Sequence, residues 1–433
     1  MTFTAPDRTT TSDGPGGALL GPGRRTILRI AGIAVLVPIA VSCGIGAGPA
    51  SARENRRGAQ TRTRTPVDPV AALANAFEFL DERTPLDPGT EGYLPRSYTG
   101  GHLGDIGYDS ASVYDCALVV LAYLARGTPD DVARATKIGD VLVAVQLADP
   151  AGDSRLRSSY TSVPEAGVGR PRIASTATMT GNQAWVGMAF VRLFEHTGAP
   201  QFRDAALRTA TFVVTTAYDA RGVGGFSGGS TGTGTPLTWR STEHNADCVG
   251  FFTQLARATG DQAWAAHAET ARVFVRSMWQ GDHFHVGTVN DGITPNVSPI
   301  FEDVQTWTYL ALREPAYATS LDYTLANLVT TDGPVRGTRV FVTDEKKVWL
   351  EGTGHLACAL STRASRGDAA RASALRTSIW RAQVSVETSD GRGIPAASSD
   401  GLSSGEGDEI YTSLHTGATA WAALAALEVN PFA

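Results

Sequence analysis

The sequence predicts an all-α domain, an (α/α)6 toroid of six helical hairpins, on three observations. Apolar residues recur at helical spacing from Val67 to the C-terminus of the 433-residue chain. The helical segments alternate in character, one amphipathic and the next apolar all round. The apolar ones open alike, on a polar first turn, at intervals of about 60 residues, the length of one helical pair with its loops.

Twelve segments fit this pattern: 67–82, 110–126, 129–148, 180–197, 200–218, 241–259, 261–280, 302–313, 315–330, 349–366, 368–387 and 415–429. Gly127, Gly198, Gly260 and Gly367 mark helix stops. Segments such as "DDVARATKIGDVLVAVQL" and "DQAWAAHAETARVFVRSM" keep charge along one side, which marks outer helices with a solvated face. The other set reads "YDSASVYDCALVVLAYL", "TGNQAWVGMAFVRLF", "STEHNADCVGFFTQLA", "FEDVQTWTYLAL", "WLEGTGHLACAL" and "LHTGATAWAALAAL". These carry almost no charge after the first turn, so burial on every side is expected. Repeated helix pairs form an open solenoid or a closed ring. An open stack needs atypical polar caps, and none is visible, so six buried helices inside six amphipathic ones is the expected solution. If the inner helices run parallel, their polar starts meet at one end. Short β and loop insertions, such as "HFHVGTV" and the Gly-rich runs, would decorate that rim.

The first 52 residues read as an export signal: Arg24-Arg25, an apolar run "TILRIAGIAVLVPIAV", and a small-residue exit at Ala52. The paired arginines suggest twin-arginine export, and Cys43 within "AVSC" offers a lipid-anchor alternative. Residues 53–66 read as a disordered linker and 67–433 as one catalytic domain, secreted or at the cell surface. No integral membrane domain is expected, because the apolar run is short for a span.

The chain carries a formal charge of −6. The leader holds four arginines and two aspartates, so the remainder is more acidic still. That excludes a nucleic-acid backbone as the natural ligand, since phosphates want a basic face. Cys116, Cys248 and Cys358 lie in apolar helical stretches and read as small core residues. No metal set and no cofactor motif is found, and a monomer is expected. "GFSGG" around Ser227 has the spelling of a nucleophile elbow, but it lies in a Gly-rich loop rather than between strand and helix. That loop is better read as a mobile lid.

Inner helices that open on polar and aromatic residues, each followed by an amphipathic partner, resemble the six-hairpin glycosidase superfamily over residues 67–433. The resemblance is architectural and does not single out one family. It implies glycosidic bond chemistry, commonly hydrolysis with inversion; some members are polysaccharide lyases or sugar epimerases.

Glycoside hydrolysis needs two carboxyl groups, one protonating the leaving oxygen and one activating water or attacking. A gap of about 6.5–9.5 Å gives inversion and about 5 Å retention. The helix starts offer Asp109, Asp115, Glu243, Asp247, Glu302, Asp303 and Glu351. Glu243, with its longer arm and apolar helix behind it, is the expected general acid and Asp303 the general base. Asp109, expected opposite Asp303 across the ring, and Glu351 are the reserves. Each of these acids also fits a helix cap. Trp185, Trp239, Trp307, Trp349, Trp421, Tyr108 and Tyr114 lie at or near the helix openings, where aromatic faces stack on sugar rings. Asn182, Gln183, His244, Asn245, Gln305 and His415 are hydrogen-bonding groups suited to hydroxyls. Arg96 and Arg240 keep a uronate lyase in view. The expected function is a secreted glycoside hydrolase acting on a neutral polysaccharide or oligosaccharide. A lyase or epimerase, and a non-catalytic glycan-binding protein, are the alternatives.

Overall fold

The computed structural model describes residues 67–405 and 407–433; the expected leader and linker fall outside them. Thirteen helices occur among these residues: α1 (Pro69–Arg83), a short α2 (Gly101–Asp105), α3 (Val113–Arg126), α4 (Pro129–Leu147), α5 (Thr180–Thr197), α6 (Pro200–Ala217), α7 (Thr242–Thr259), α8 (Gln262–Ser277), α9 (Glu302–Leu312), α10 (Thr319–Asn327), α11 (Leu350–Arg363), α12 (Asp368–Ser385) and α13 (Thr416–Ala426). Helices α3, α5, α7, α9, α11 and α13 pack side by side in that order, and α13 returns to α3. Helices α4, α6, α8, α10 and α12 each cover the inner helix before them, while α1 covers α13. This is the (α/α)6 toroid, closed by a hairpin whose two helices come from opposite ends of the domain. No helix among the described residues is long and apolar enough to cross a membrane.

All twelve expected segments are helical. The ends of the segments 261–280, 315–330, 349–366 and 415–429 come three residues early, and two starts change in kind. The first inner helix starts at Val113, not 110, because Ser110–Ser112 pairs as a strand with Ser159–Pro164. A 3-10 turn at Pro315–Tyr317 precedes α10.

The two ends of the toroid differ because the connections do. Inner-to-outer turns are short and locally encoded. Gly127, Gly198 and Gly260 end their helices in the left-handed conformation, which costs a residue without Cβ nothing. Thr128 then opens α4 with a capping box to Asp131. Arg313 and Ala364 take the same left-handed role, while Gly367, expected as a stop, is the N-cap of α12. Outer-to-inner connections are long, and every strand lies in one of them. They form six small antiparallel sheets at the end where the inner helices begin. Cys116, Cys248 and Cys358 are buried and unbridged.

These rim segments are tied to the helices by one repeated device. The fourth residue of five inner helices reaches sideways to the backbone of the preceding connection. Gln183 exchanges two hydrogen bonds with Leu156 (3.1 and 2.7 Å), Asn245 two with Phe226 (both 2.9 Å), and Gln305 two with Phe284 (2.7 and 3.0 Å). Thr353 and Thr419 accept from the Thr338 and Ile394 amides (3.0 and 2.9 Å). Buried backbone groups must be paired, and here side chains do it. Gln305→Ala is therefore expected to cost about 1–3 kcal/mol, since it strands a buried donor and acceptor. Urea unfolding at matched m-values tests this; a midpoint equal to that of the parent would refute the tie.

Candidate active site

The inner helices can be aligned by their first residues. Their second positions are then Tyr114, Gly181, Glu243, Asp303, Glu351 and Gly417, and their sixth are Leu118, Trp185, Asp247, Trp307, His355 and Trp421. Residues four apart share a helix face, and this face points to the axis. The proof is contact across the ring. Trp185 meets Trp307 edge-on (5.1 Å between ring centres) and Trp421 (5.8 Å), and His355 lies 4.4 Å from Trp421. Phe432 closes the far end, 5.0 Å from Trp185, over the space left by Gly250.

Above this aromatic floor lie the carboxyls of Asp115, Glu243, Asp247, Glu302, Asp303 and Glu351, all buried. The two glycines in the second-position layer make room for them. A Cβ at Gly181 would stand 2.9 Å from Asp247 Oδ2, and one at Gly417 2.5 Å from Asp115 Oδ1. Three of the acids and two buried histidines form a chain around part of the ring. His415 places Nε2 3.3 Å from Asp115 and Nδ1 3.4 Å from Glu351. His355 sets Nε2 3.7 Å from Glu351 and Nδ1 3.2 Å from Glu302. Tyr114 donates its hydroxyl proton to Glu351 (2.6 Å) and accepts from the Trp421 indole (2.8 Å).

So many acids in one dry place cannot all ionise. Burial, then Glu302, lifts the Asp303 carboxyl to about 7. Burial, then Asp303, pushes Asp247 well above the usual range; the Trp185 indole is near enough to ease it but makes no aligned bond. Burial also raises Glu302. For Glu351 burial is outweighed by His355, His415 and Tyr114, and its pKa falls. His355 is the counterpart: burial opposes its charge, but the bond to Glu302 and the nearby Glu351 carboxylate prevail and raise it to about 9. His415 is raised by Asp115 and Glu351 against the pull of burial. His244 faces no such partner, and burial depresses it to about 3, so it is a neutral imidazole. Burial and crowding thus push Asp247, Glu302 and Asp303 one way and the histidine-flanked Glu351 the other, the kind of divergence that acid–base catalysis uses.

Of the acids chosen from sequence, Glu243, Asp303 and Glu351 gather here. Asp109 does not. It lies half-exposed just before the rim strand Ser110–Ser112, bonded to Arg96 (3.2 Å) and Ser162 (2.5 Å), and Asp115 is the carboxyl that α3 turns inward. Trp185, Trp307, Trp421 and Tyr114 form the floor. Asn182 and His244 line a narrow cavity with Glu243, Asp247 and Met179; its 220 Å³ of empty space is spread too thinly to seat a water-sized sphere. Tyr108, Trp239 and Trp349 belong to the rim: Tyr108 is edge-on to Tyr98 (5.4 Å), Trp239 covers Gly228 beside His244, and Trp349 stands edge-on to His355 (5.1 Å). Gln183, Asn245 and Gln305, expected to meet hydroxyls, are instead the loop ties described above, since the fourth position faces between helices. His355 appeared in no expectation, though its place four residues after Glu351 marked it.

Two rim features also differ from expectation. The Gly-rich loop is anchored rather than loose. Buried Arg240 donates to the Gly224, Arg221 (2.8 Å) and Gly292 carbonyls and faces Asp219 (3.6 Å). Ser227 donates its backbone amide to Ala217 and has no nucleophile-elbow setting. Arg240 and Arg96 are thereby both engaged away from the axis, so neither is placed to neutralise a uronate there.

No known family's sequence profile matches the chain, and no curated protein matches it. Solved structures do. Cellobiose 2-epimerase from Spirochaeta thermophila is similar at a TM-score of 0.62 and 15% identity, covering 83% of this chain and 94% of that one. A D-mannose isomerase is similar at 0.61 and 12%, covering 83% and 96%. A GH76 α-mannanase from Bacteroides thetaiotaomicron is similar at 0.57 and 9%, covering 84% and 96%. At these identities the likeness establishes the fold.

Proposed function

We propose that the chain is a carbohydrate-active enzyme and, within that class, a glycoside hydrolase acting on a neutral saccharide with inversion. One observation carries the reading: buried carboxyls from adjacent inner helices, Glu243, Asp247, Asp303 and Glu351, gather at the axis beside the Trp185–Trp307–Trp421 cluster. The structural relatives support it, since a mannanase stands among enzymes that remodel free sugars on this fold.

The surroundings exchange the roles expected from sequence. Asp303 is the general acid, because burial and crowding by Glu302, Glu351 and Asp247 keep its proton on. It gives that proton to the departing glycosidic oxygen. Glu243, second residue of α7, sits where the helix N-terminus favours an anion, and it takes a proton from the attacking water. The Trp185–Trp307–Trp421 floor offers apolar faces to the sugar ring, and Asn182 its unpartnered amide nitrogen to a hydroxyl. Activity should fall as pH rises through about 7, as Asp303 loses its proton; a kcat/KM profile that stays flat to pH 9 would contradict the assignment.

A second reading rests on His415, held between Asp115 and Glu351 as a base for a sugar carbon. It would make the chain an epimerase or isomerase. Incubating purified protein in D2O with neutral polysaccharides and with free aldoses separates the two. New reducing ends without deuterium on carbon mean hydrolysis; deuterium at a sugar carbon without new ends means epimerisation or isomerisation. Binding without either product means a glycan-binding protein.

A further inference from the structure

The axial acids are covered on all sides, so a saccharide needs a way to them. A surface pocket of about 610 Å³, part of it open to solvent, lies between α2 and the segment Asp408–Tyr411. Its inner wall is Tyr98. That ring stacks flat on His415, 4.3 Å between centres and 4° between planes, and the two residues are cross-strand partners. His415 in turn touches Asp115 and Glu351. One aromatic ring and one imidazole therefore separate the pocket from the axial carboxyls. Two other surface pockets, around Lys137 and around Asp332, are lined by no axial residue.

The lining has the chemistry of sugar recognition. His102 and Tyr411 stack at 4.1 Å to make an aromatic wall, and Ile106, 55% exposed, adds an apolar face. Asp408 and Glu409 supply carboxylate acceptors, and among the described residues no lysine or arginine lines the pocket. Aromatic and apolar faces suit the C–H faces of a pyranose, and carboxylates suit its hydroxyls, whereas an anionic sugar would be repelled.

We propose that this pocket is the outer subsite for a neutral saccharide and the route by which it reaches the axial acids, with Tyr98 as the wall that must move. This rests on the hydrolase reading for what happens beyond Tyr98, but not for binding in the pocket itself. The test uses the full chain with cellotetraose, maltotetraose and mannotetraose, and with tetragalacturonate as the anionic control. Calorimetry should detect at least one neutral tetrasaccharide and no tetragalacturonate. Tyr411→Ala should weaken the bound one tenfold or more, and should raise its KM by a similar factor if it is cleaved. Circular dichroism melts establish that the variant is folded. Equal affinity in Tyr411→Ala, preference for tetragalacturonate, or no binding of any neutral probe each overturns the proposal. If a neutral probe binds through Tyr411 but is never cleaved, the hydrolase reading falls and the subsite stands. If cleavage proceeds with an unchanged KM in Tyr411→Ala, the subsite falls and the hydrolase stands.

Discussion

Asp303→Asn should abolish turnover and, at the same time, make the protein harder to melt. The first effect follows from the role of the group: an amide cannot deliver a proton, and loss of a positioned acid costs about 10²–10⁴ in rate. The second follows from linkage. Burial and Glu302 lift the Asp303 carboxyl from 3.8 to about 7, so folding favours its protonated form. The penalty for ionising it is absent below 3.8, grows as pH rises, and levels off above about 7. An amide never incurs that penalty. Its NH2 takes the place of Oδ2, which has no hydrogen-bond partner, in surroundings where Glu302 Oε1 and both Asp247 oxygens also lack one. The gain in melting temperature should be largest at pH 8 and vanish near pH 4. A variant retaining more than a tenth of parental activity would move the acid role elsewhere. One that melts lower at pH 8 would mean Asp303 makes better bonds than its amide can.

His355→Gln should be the most damaging single change to stability. The imidazolium stands between Glu302 and Glu351 with no exposure to solvent. Its removal leaves two buried acids facing each other, and breaking such a pair costs about 3–5 kcal/mol. For a domain of this size that lowers the melting temperature by about 4–6 °C. The pH dependence is fixed by the shift from 6.5 to about 9. A raised histidine contributes in full below 6.5 and loses its contribution as pH climbs through about 9. The gap between parent and variant should therefore narrow in alkaline solution. Adding Glu302→Gln to His355→Gln should recover a large part of the loss; no recovery would show that packing against Trp307 and Trp421, rather than charge, was what His355 supplied.

The toroid was legible because its helices announce themselves twice, by apolar period and by recurring polar starts. The site was legible only in part, and the errors have physical causes. "DSAS" reads as a helix start, yet Ser110–Ser112 extends to pair with a neighbouring strand, so α3 begins three residues later and Asp115, not Asp109, faces inward. Gln183, Asn245 and Gln305 carry the right chemistry in the wrong direction. At about 100° per residue, two steps along a helix separate a side chain on the axis from one facing the next loop. Nothing in a single sequence gives that rotation until the first residue of each helix is known. His355 was hidden by its apolar neighbours, although its spacing from Glu351 carried the signal. The closure over the acids depends on where long connections settle, and no local pattern encodes that.

The pairing of α1 with α13 has a consequence for how the protein is made. Helix α1 is made long before α13, and its apolar side stays uncovered until α13 has been synthesised. Up to that moment the nascent domain is a horseshoe with two sticky ends, a form that invites capture by chaperones or by its own copies. His415 and Trp421 also arrive with α13, so the buried cluster at the axis is completed only when that helix docks.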